Sequence, residues 1–125
     1  MNQARILVVE DEEMTARLIL YRLKSLGHET RHAKDGVEGL KMIKEFNPDL
    51  VVLDVMLPGK SGFEILQELH DDPEFESGNI RVIMLSNKKS VEDVSRGFNL
   101  GAMEYVPKPF KMDEFLLRLK RVLNQ

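Results

Sequence analysis

Residues 5–11, RILVVED, decide the fold of this chain. Their first five residues form an almost uninterrupted apolar run, which is typical of a strand buried on both faces of a parallel sheet. A second run, LVVL at residues 50–53, is likewise followed by an acid, Asp54. If the two strands are parallel neighbours, the carboxylates of Glu10, Asp11 and Asp54 meet at one edge of the sheet. Two carboxylates ~4 Å apart repel each other by about 1–4 kcal/mol, so such a cluster predicts a bound cation.

Strand and helix signals alternate five times around these two runs. Asp35 with Glu38, and Ser61 with Glu64, have the spacing of a capping box, and Gly27 suits a helix end. The alternation predicts an α/β fold with a doubly wound, parallel, five-stranded (βα)5 sheet. The predicted strands cover residues 5–9, 29–31, 49–53, 80–85 and 103–106, the helices begin near residues 12, 35, 61, 90 and 112, and residues 71–78 are predicted to form a loop.

Ligands of open parallel sheets bind at the carboxyl edge, where the strand order reverses. For the order 2-1-3-4-5 the reversal lies between the first and third strands, which end in Glu10-Asp11 and in Asp54. The fold rule and the acidic cluster therefore indicate the same place. Ser86 after the fourth strand and Lys108 after the fifth are expected on the same edge. Three carboxylates, a hydroxyl and an ammonium suit Mg²⁺ together with a phosphoryl group.

Composition limits the classes of protein to consider. A chain of 125 residues fits one domain, and the absence of cysteine excludes disulfides and thiolate metal sites. No apolar run approaches the ~20 residues of a membrane span, and the amino terminus lacks the layout of a signal peptide. We therefore expect a cytoplasmic protein without a membrane partner. The net charge of −3 argues against direct binding of nucleic acid.

The three histidines are not predicted to take part in the chemistry. His28, His32 and His70 are expected at the opposite edge of the sheet or at helix ends, and at the surface. No imidazole is therefore predicted to serve as a base at the acidic edge.

Four motifs in order resemble the receiver domain of bacterial two-component response regulators. They are VVEDE at residues 8–12, LDVMLPG at 53–59 followed by Gly62, MLS at 84–86 and GAMEYVPKPF at 101–110. Each motif alone is moderately specific, but all four in this order and at these spacings are highly specific. The resemblance covers essentially the whole chain. It implies a flavodoxin-like, CheY-like fold and one receiver domain over residues 1–125.

The resemblance implies a role for each matching residue at the acidic edge. Asp54 is similar to the phosphoacceptor, which takes its phosphoryl group from a sensor histidine kinase or a phosphotransfer protein. Glu10 and Asp11 resemble the acidic pair that holds Mg²⁺, with Asp54 and the backbone carbonyl of Met56 as further ligands. Lys108 resembles the cation that pairs with the acyl phosphate.

The resemblance also implies a conformational switch. Ser86 is similar to the hydroxyl residue that moves to bind the phosphoryl group. Tyr105 is similar to the aromatic residue that turns inward on activation, although simple core packing is an equal alternative. The Lys108–Pro109 bond is cis in the family.

The output face in this family is formed by the fourth helix, the fifth strand and the fifth helix. A change in this face would control an effector domain or protein. The same face could form a homodimer through pairs of charged residues. The alternative is that these residues form a solvated charged surface. The charged residues in question are Arg96, Glu104, Glu114 and Arg118.

Three residues depart from the commonest family pattern. Glu10 replaces the more usual Asp and should keep metal binding. Asn87 stands where a small Ala or Gly is usual, and Pro107 stands where Thr is common. Asn87 neighbours the expected phosphoryl pocket, so it bears on the shape of that pocket.

Two other functions stay open beside the phosphorylated switch. A phosphatase of the haloacid dehalogenase type also uses an Asp at a strand end, but it carries a second Asp two residues later, where this chain has Met56. A pseudo-receiver keeps the fold as an interaction module without phosphorylation, yet it usually lacks the acceptor, an acid or the lysine. All of these are present here. We therefore expect a signalling switch rather than an enzyme, with chemistry limited to transfer onto Asp54 and hydrolysis from it.

Overall fold

The computed structural model describes residues 3–75 and 80–124. Within these residues five strands alternate with five helices. The loop predicted at residues 71–78 begins at residue 72 in the structure, because Asp71 is the last residue of a helix. Residues 76–78 of the predicted loop lie outside the described residues. The elements are β1 Arg5–Val9, α1 Glu13–Ser25, β2 Glu29–Ala33, α2 Gly36–Phe46, β3 Leu50–Asp54, α3 Gly62–Asp71, β4 Arg81–Ser86, α4 Val91–Asn99, β5 Glu104–Pro107 and α5 Met112–Leu123.

The five strands form one parallel sheet in the order β2-β1-β3-β4-β5. The predicted doubly wound α/β fold and its strand order are thus confirmed. Val9 pairs with Leu53 across β1 and β3, so these strands end side by side at the reversal point. The residues that follow Val9 and Leu53 therefore emerge at the same edge, as the acidic cluster requires.

Alternate residues of the strands point to two separate cores. Leu7 and Val9 of β1 belong to the core beneath α2, α3 and α4, and Ile6 and Val8 belong to the core beneath α1 and α5. All four are completely buried. Burial of each such side chain favours folding by about 1.5–3 kcal/mol. The apolar runs therefore specify strands covered on both faces by helices.

Hydrogen bonds at the helix ends follow the predicted signals. Ser61 and Glu64 form both bonds of a capping box at the start of α3. At α2 the Asp35 carboxylate accepts a bond from the Glu38 N–H. Gly27 has a φ of 90°, so it ends the α1 segment in a conformation that favours glycine. Across the described residues, no helix is long and apolar enough to cross a membrane.

Helix α4 is held to the sheet differently from the other helices. Of its nine residues, all described, Gly97 is the one that is buried. A Cβ at Gly97 would lie 2.8 Å from the ring of Tyr105 on β5. The backbone of α4 therefore rests almost directly on this ring.

Gly62 gives a direct test of the packing between β3 and α3. A Cβ at this position would lie 2.4 Å from the backbone oxygen of Asp54, and a backbone atom cannot move aside as a flexible side chain can. We expect Gly62→Ala to lower the free energy of unfolding by about 1–3 kcal/mol, as overpacking does elsewhere. Urea denaturation measures this change.

A substitution on the exposed side of the same helix provides the control. Gln67→Ala should shift the free energy of unfolding by no more than about 0.5 kcal/mol. A Gly62→Ala variant that is as stable as the unaltered chain would contradict the close contact.

Candidate functional site

The ends of β1 and β3 carry two buried acids. Glu10 is 1% exposed and Asp54 is 4% exposed, in a protein whose other buried strand residues are almost all apolar. Asp54 is the last residue of β3, one position inside the strand rather than after it as predicted. The Glu10 N–H donates to the Ala33 oxygen at 3.0 Å, which continues the pairing of β1 with β2. Both acids are therefore placed by the sheet itself.

Glu10, Asp11 and Asp54 converge at this edge as predicted. One carboxylate oxygen of each lies within 4.8 Å of the others, a spacing that a metal ion can bridge. Asp11 is exposed, whereas the other two acids are buried. The Lys108 ammonium lies 2.8 Å from Asp54 Oδ2 and 2.5 Å from Glu10 Oε1. One cation thus contacts the two buried acids.

Backbone N–H groups bind the second carboxylate oxygen of each buried acid. The Met56 N–H donates to Asp54 Oδ1 at 3.0 Å, and the Glu12 N–H donates to Glu10 Oε2 at 3.1 Å. Glu10 Oε1 is buried and, among the described residues, has no aligned hydrogen-bond donor. Its short contact with Lys108 is therefore an ion pair by distance, without hydrogen-bond geometry. An oxygen with unused lone pairs beside two other carboxylates fits an oxygen-preferring cation.

Burial and neighbouring charge alter the protonation of this cluster. Burial, and then the adjacent Asp54 carboxylate, raise the pKa of Glu10 from 4.5 to about 7, although Lys108 acts in the opposite direction. Burial lowers the pKa of Lys108, but its contacts with the Asp54 and Glu10 carboxylates outweigh burial, and the net pKa is raised. Lys108 is therefore charged at neutral pH, while Glu10 is partly protonated unless a further cation is present.

Ser86, Lys108 and Tyr105 are linked through the end of β4. Ser86 is completely buried, its carbonyl accepts a bond from the Lys108 N–H at 2.8 Å, and its Oγ accepts one from the Lys88 N–H at 3.0 Å. The Tyr105 hydroxyl donates to the Lys88 carbonyl at 2.7 Å. The Tyr105 ring is buried, so it lies inward in this structure. The Lys108–Pro109 peptide bond is cis.

Asn87 and Pro107, two of the departures from the family pattern, lie at this edge as well. Pro107 is the last residue of β5 and pairs with Ser86. Asn87 lines a groove of about 380 Å³ that runs from Leu18 of α1 to Lys108. The groove thus reaches the lysine that contacts the two buried acids.

The prediction for the histidines was wrong for His32. His28 lies at the opposite edge, where its Nδ1 accepts a bond from the Ala4 N–H, and His70 is exposed on α3. His32 is half-buried on β2, and its Nε2 lies 2.8 Å from the Glu10 carbonyl oxygen. β2 extends two residues beyond its predicted end, which carries His32 to the acidic edge. The pairing of β2 with β1 was the signal that sequence reasoning missed.

The charged residues expected on the output face make contacts within one chain. Arg118 lies 3.0 Å from Glu104 and 3.2 Å from Glu114. The Arg96 guanidinium lies over the Phe63 ring at 4.5 Å. A dimer that used these groups would exchange internal contacts for contacts between chains.

Two curated relatives of this chain are named as transcriptional regulators. The chain is 39% identical to the uncharacterized transcriptional regulatory protein YkoG of Bacillus subtilis over 125 residues, all of this chain and 53% of that protein. It is 34% identical to the DNA-binding dual master transcriptional regulator RpaA of Synechocystis over 121 residues, 97% of this chain and 49% of that protein. The chain spans about half the length of these relatives.

Two solved receiver domains have a similar fold. The receiver domain of the Francisella response regulator 1452 superposes with a TM-score of 0.87 at 31% identity, covering 97% of each chain. The non-phosphorylated HemR receiver domain from Leptospira biflexa also has a TM-score of 0.87, at 34% identity over 97% of this chain and 94% of that one. The family model described as the response regulator receiver domain matches residues 6–120. The chain therefore belongs to the response regulator receiver domain family.

Proposed function

We propose that this domain is a switch controlled by phosphorylation of Asp54, with a sensor histidine kinase or phosphotransfer protein as the donor. The observation that carries the proposal is the buried contact of Lys108 with both Asp54 and Glu10, beside the exposed Asp11. Two buried acids and a lysine beside a third, exposed acid form a costly group unless another cation and a ligand complete it. A phosphoryl group with Mg²⁺ supplies both.

The metal site would use Glu10, Asp11, Asp54 and the backbone carbonyl of Met56. The buried Glu10 Oε1, which has no aligned hydrogen-bond donor among the described residues, and the spacing of the three carboxylates support this set. When bound, Mg²⁺ would neutralise negative charge on the phosphoryl oxygens and the acids. The Met56 N–H donates to Asp54 Oδ1, and this contact supports Met56 as a further ligand.

Asp54 would act as the nucleophile. A carboxylate oxygen forms a bond to phosphorus while the bond from phosphorus to the donor's imidazole nitrogen breaks, and the electron pair of that bond leaves with the imidazole. The product is an acyl phosphate on Asp54. Its carboxyl no longer carries the charge that Lys108 now binds, so the ammonium can pair with phosphoryl oxygens instead.

Ser86 and Tyr105 would transmit the change. The Ser86 Oγ accepts its bond from Lys88, so its own proton is available to donate to a phosphoryl oxygen. Movement of Ser86 would disturb the Lys88 segment, to which the Tyr105 hydroxyl is bonded. The face of α4, β5 and α5 would then differ between the two states, and a partner must bind those states with different affinity.

The partner would be an effector domain or protein, in keeping with relatives that are transcriptional regulators of about twice this length. A homodimer through α4, β5 and α5 is compatible with this output. The domain itself would bind no nucleic acid, and a cytoplasmic location stays a prediction from the sequence.

Phosphorylation can be tested with a small donor. Incubation with Mg²⁺ and acetyl phosphate should add one phosphate to the chain, as measured by intact mass, and Asp54→Asn should abolish the addition because the nucleophile is lost. Asp113→Asn, at an exposed aspartate on α5, serves as the matched control and should be labelled normally. Equal labelling of Asp54→Asn would refute the assignment.

The role of Lys108 can be measured with the same assay. Lys108→Gln should slow labelling by about 100-fold or more, because removal of one positioned group that stabilises transition-state charge has an effect of that size. Lys111→Gln, three residues away on the exposed surface, should leave the rate unchanged. A Lys108→Gln variant with a normal rate would show that the ion pair serves only the fold.

The raised pKa of Glu10 predicts that Mg²⁺ binding depends on pH. Since Glu10 must lose its proton to bind the cation, affinity should fall about tenfold per pH unit below 7 and level off above it. Calorimetric titration at pH 6, 7 and 8 measures this. Glu10→Gln should weaken binding and flatten the profile, whereas Glu13→Gln should retain it. A flat profile in the unaltered chain would contradict the shifted pKa.

A further inference from the structure

His32 contacts the backbone between the two acids that end β1. The imidazole Nε2 lies 2.8 Å from the Glu10 carbonyl oxygen. A carbonyl oxygen has no hydrogen to donate, so Nε2 must carry the hydrogen and act as the donor. This bond fixes which ring nitrogen is protonated and directs the ring towards the acidic edge.

Both backbone groups of Glu10 are thereby bound to β2. The Glu10 N–H donates to Ala33, and the Glu10 carbonyl accepts from His32. β1 ends at Val9, so the second of these bonds holds the chain where the strand ladder has stopped. The Glu10 carbonyl belongs to the peptide group that joins Glu10 to Asp11. Its orientation sets the direction in which each of these two side chains leaves the backbone.

The Glu10 and Asp11 side chains lie in different surroundings. The orientation of the peptide group between them therefore affects the geometry of the acidic cluster. The Glu10 carboxylate is buried against Lys108, whereas Asp11 is exposed. A rotation of the peptide group would move the Asp11 carboxylate relative to Glu10 and Asp54. Groups that hold a ligand in its binding direction contribute to metal affinity without contacting the metal.

We infer that His32 is a positioning residue for the cation site, acting through the Glu10–Asp11 peptide group. The inference rests on the proposed function, because it assumes that Glu10 and Asp11 hold Mg²⁺. A purely structural role, in which the bond only fastens the edge strand β2, makes a different prediction. It would alter stability without a specific effect on the affinity for the cation.

Two substitutions of His32 distinguish these roles. His32→Phe keeps a ring of similar size without the donor, and His32→Gln restores an N–H donor on a flexible side chain. The effect of one lost hydrogen bond corresponds to an increase of about three- to tenfold in the Mg²⁺ dissociation constant for His32→Phe. His32→Gln should recover most of the affinity. His70→Phe, at an exposed histidine of α3, is the matched control and should bind as the unaltered chain does.

The His32 variants should change the affinity for Mg²⁺ without a comparable change in the rate of labelling. At saturating Mg²⁺, labelling by acetyl phosphate should proceed within about twofold of the normal rate in His32→Phe, because the chemical groups are intact. The metal-free protein gives an independent signal by NMR. The His32 ring N–H proton should exchange slowly with water in the unaltered chain, and the Asp11 amide resonance should shift in His32→Phe and move back in His32→Gln.

The outcomes separate the inference from the proposed function. If His32→Phe and the unaltered chain bind Mg²⁺ equally while Asp54 is still labelled, the positioning role is wrong and the proposed function stands. If His32→Phe loses stability and affinity, and His32→Gln restores neither, the bond is structural and the inference is also overturned. If the unaltered chain neither binds Mg²⁺ nor accepts phosphate, the proposed function fails and the inference fails with it.

Discussion

The site depends on the ion pairs of Lys108 with Asp54 and Glu10. Parallel strand ends bring three carboxylates together, and carboxylates removed from water repel one another strongly. One ammonium offsets only part of the cost of these charges, since burial, and then the adjacent Asp54, still raise the pKa of Glu10 to about 7. The folded domain therefore holds its acids in an arrangement that is short of positive charge. A cation bound beside the three acids would relieve that shortage.

The fold and most of the site could be predicted because the apolar runs carry strong signals. The runs that end at Val9 and Leu53 are long, apolar and bounded by acids. The rule that ligands of doubly wound sheets bind where the strand order reverses then predicts the position of the site. Asp54 and Ser86 lie inside their strands rather than beyond them. The pairing of neighbouring strands continues past the apolar residues, as the bond from the Val55 N–H to the Leu85 oxygen shows.

The polar edge strand β2 could not be predicted in full. Its sequence, ETRHA, lacks the apolar character that marks the inner strands, and its last residues are strand residues only because they pair with β1. His32 was misplaced for this reason. The hydrogen bond between Tyr105 and Lys88 could not be predicted from the sequence either, because the path of the loop after β4 depends on tertiary contacts. Local sequence specifies a strand poorly where a neighbouring strand stabilises it.

The contact between Gly97 and Tyr105 has a consequence for motion. A helix that inserts large side chains into a core must withdraw them before it can move, and each withdrawal exposes apolar area to water. α4 packs one half-buried side chain, Val94, against the core, and its one fully buried residue is a glycine in close contact with an aromatic ring. A small shift of α4 across that ring exposes little apolar surface. Of the five helices, α4 thus has the fewest buried residues to withdraw from the core when it moves.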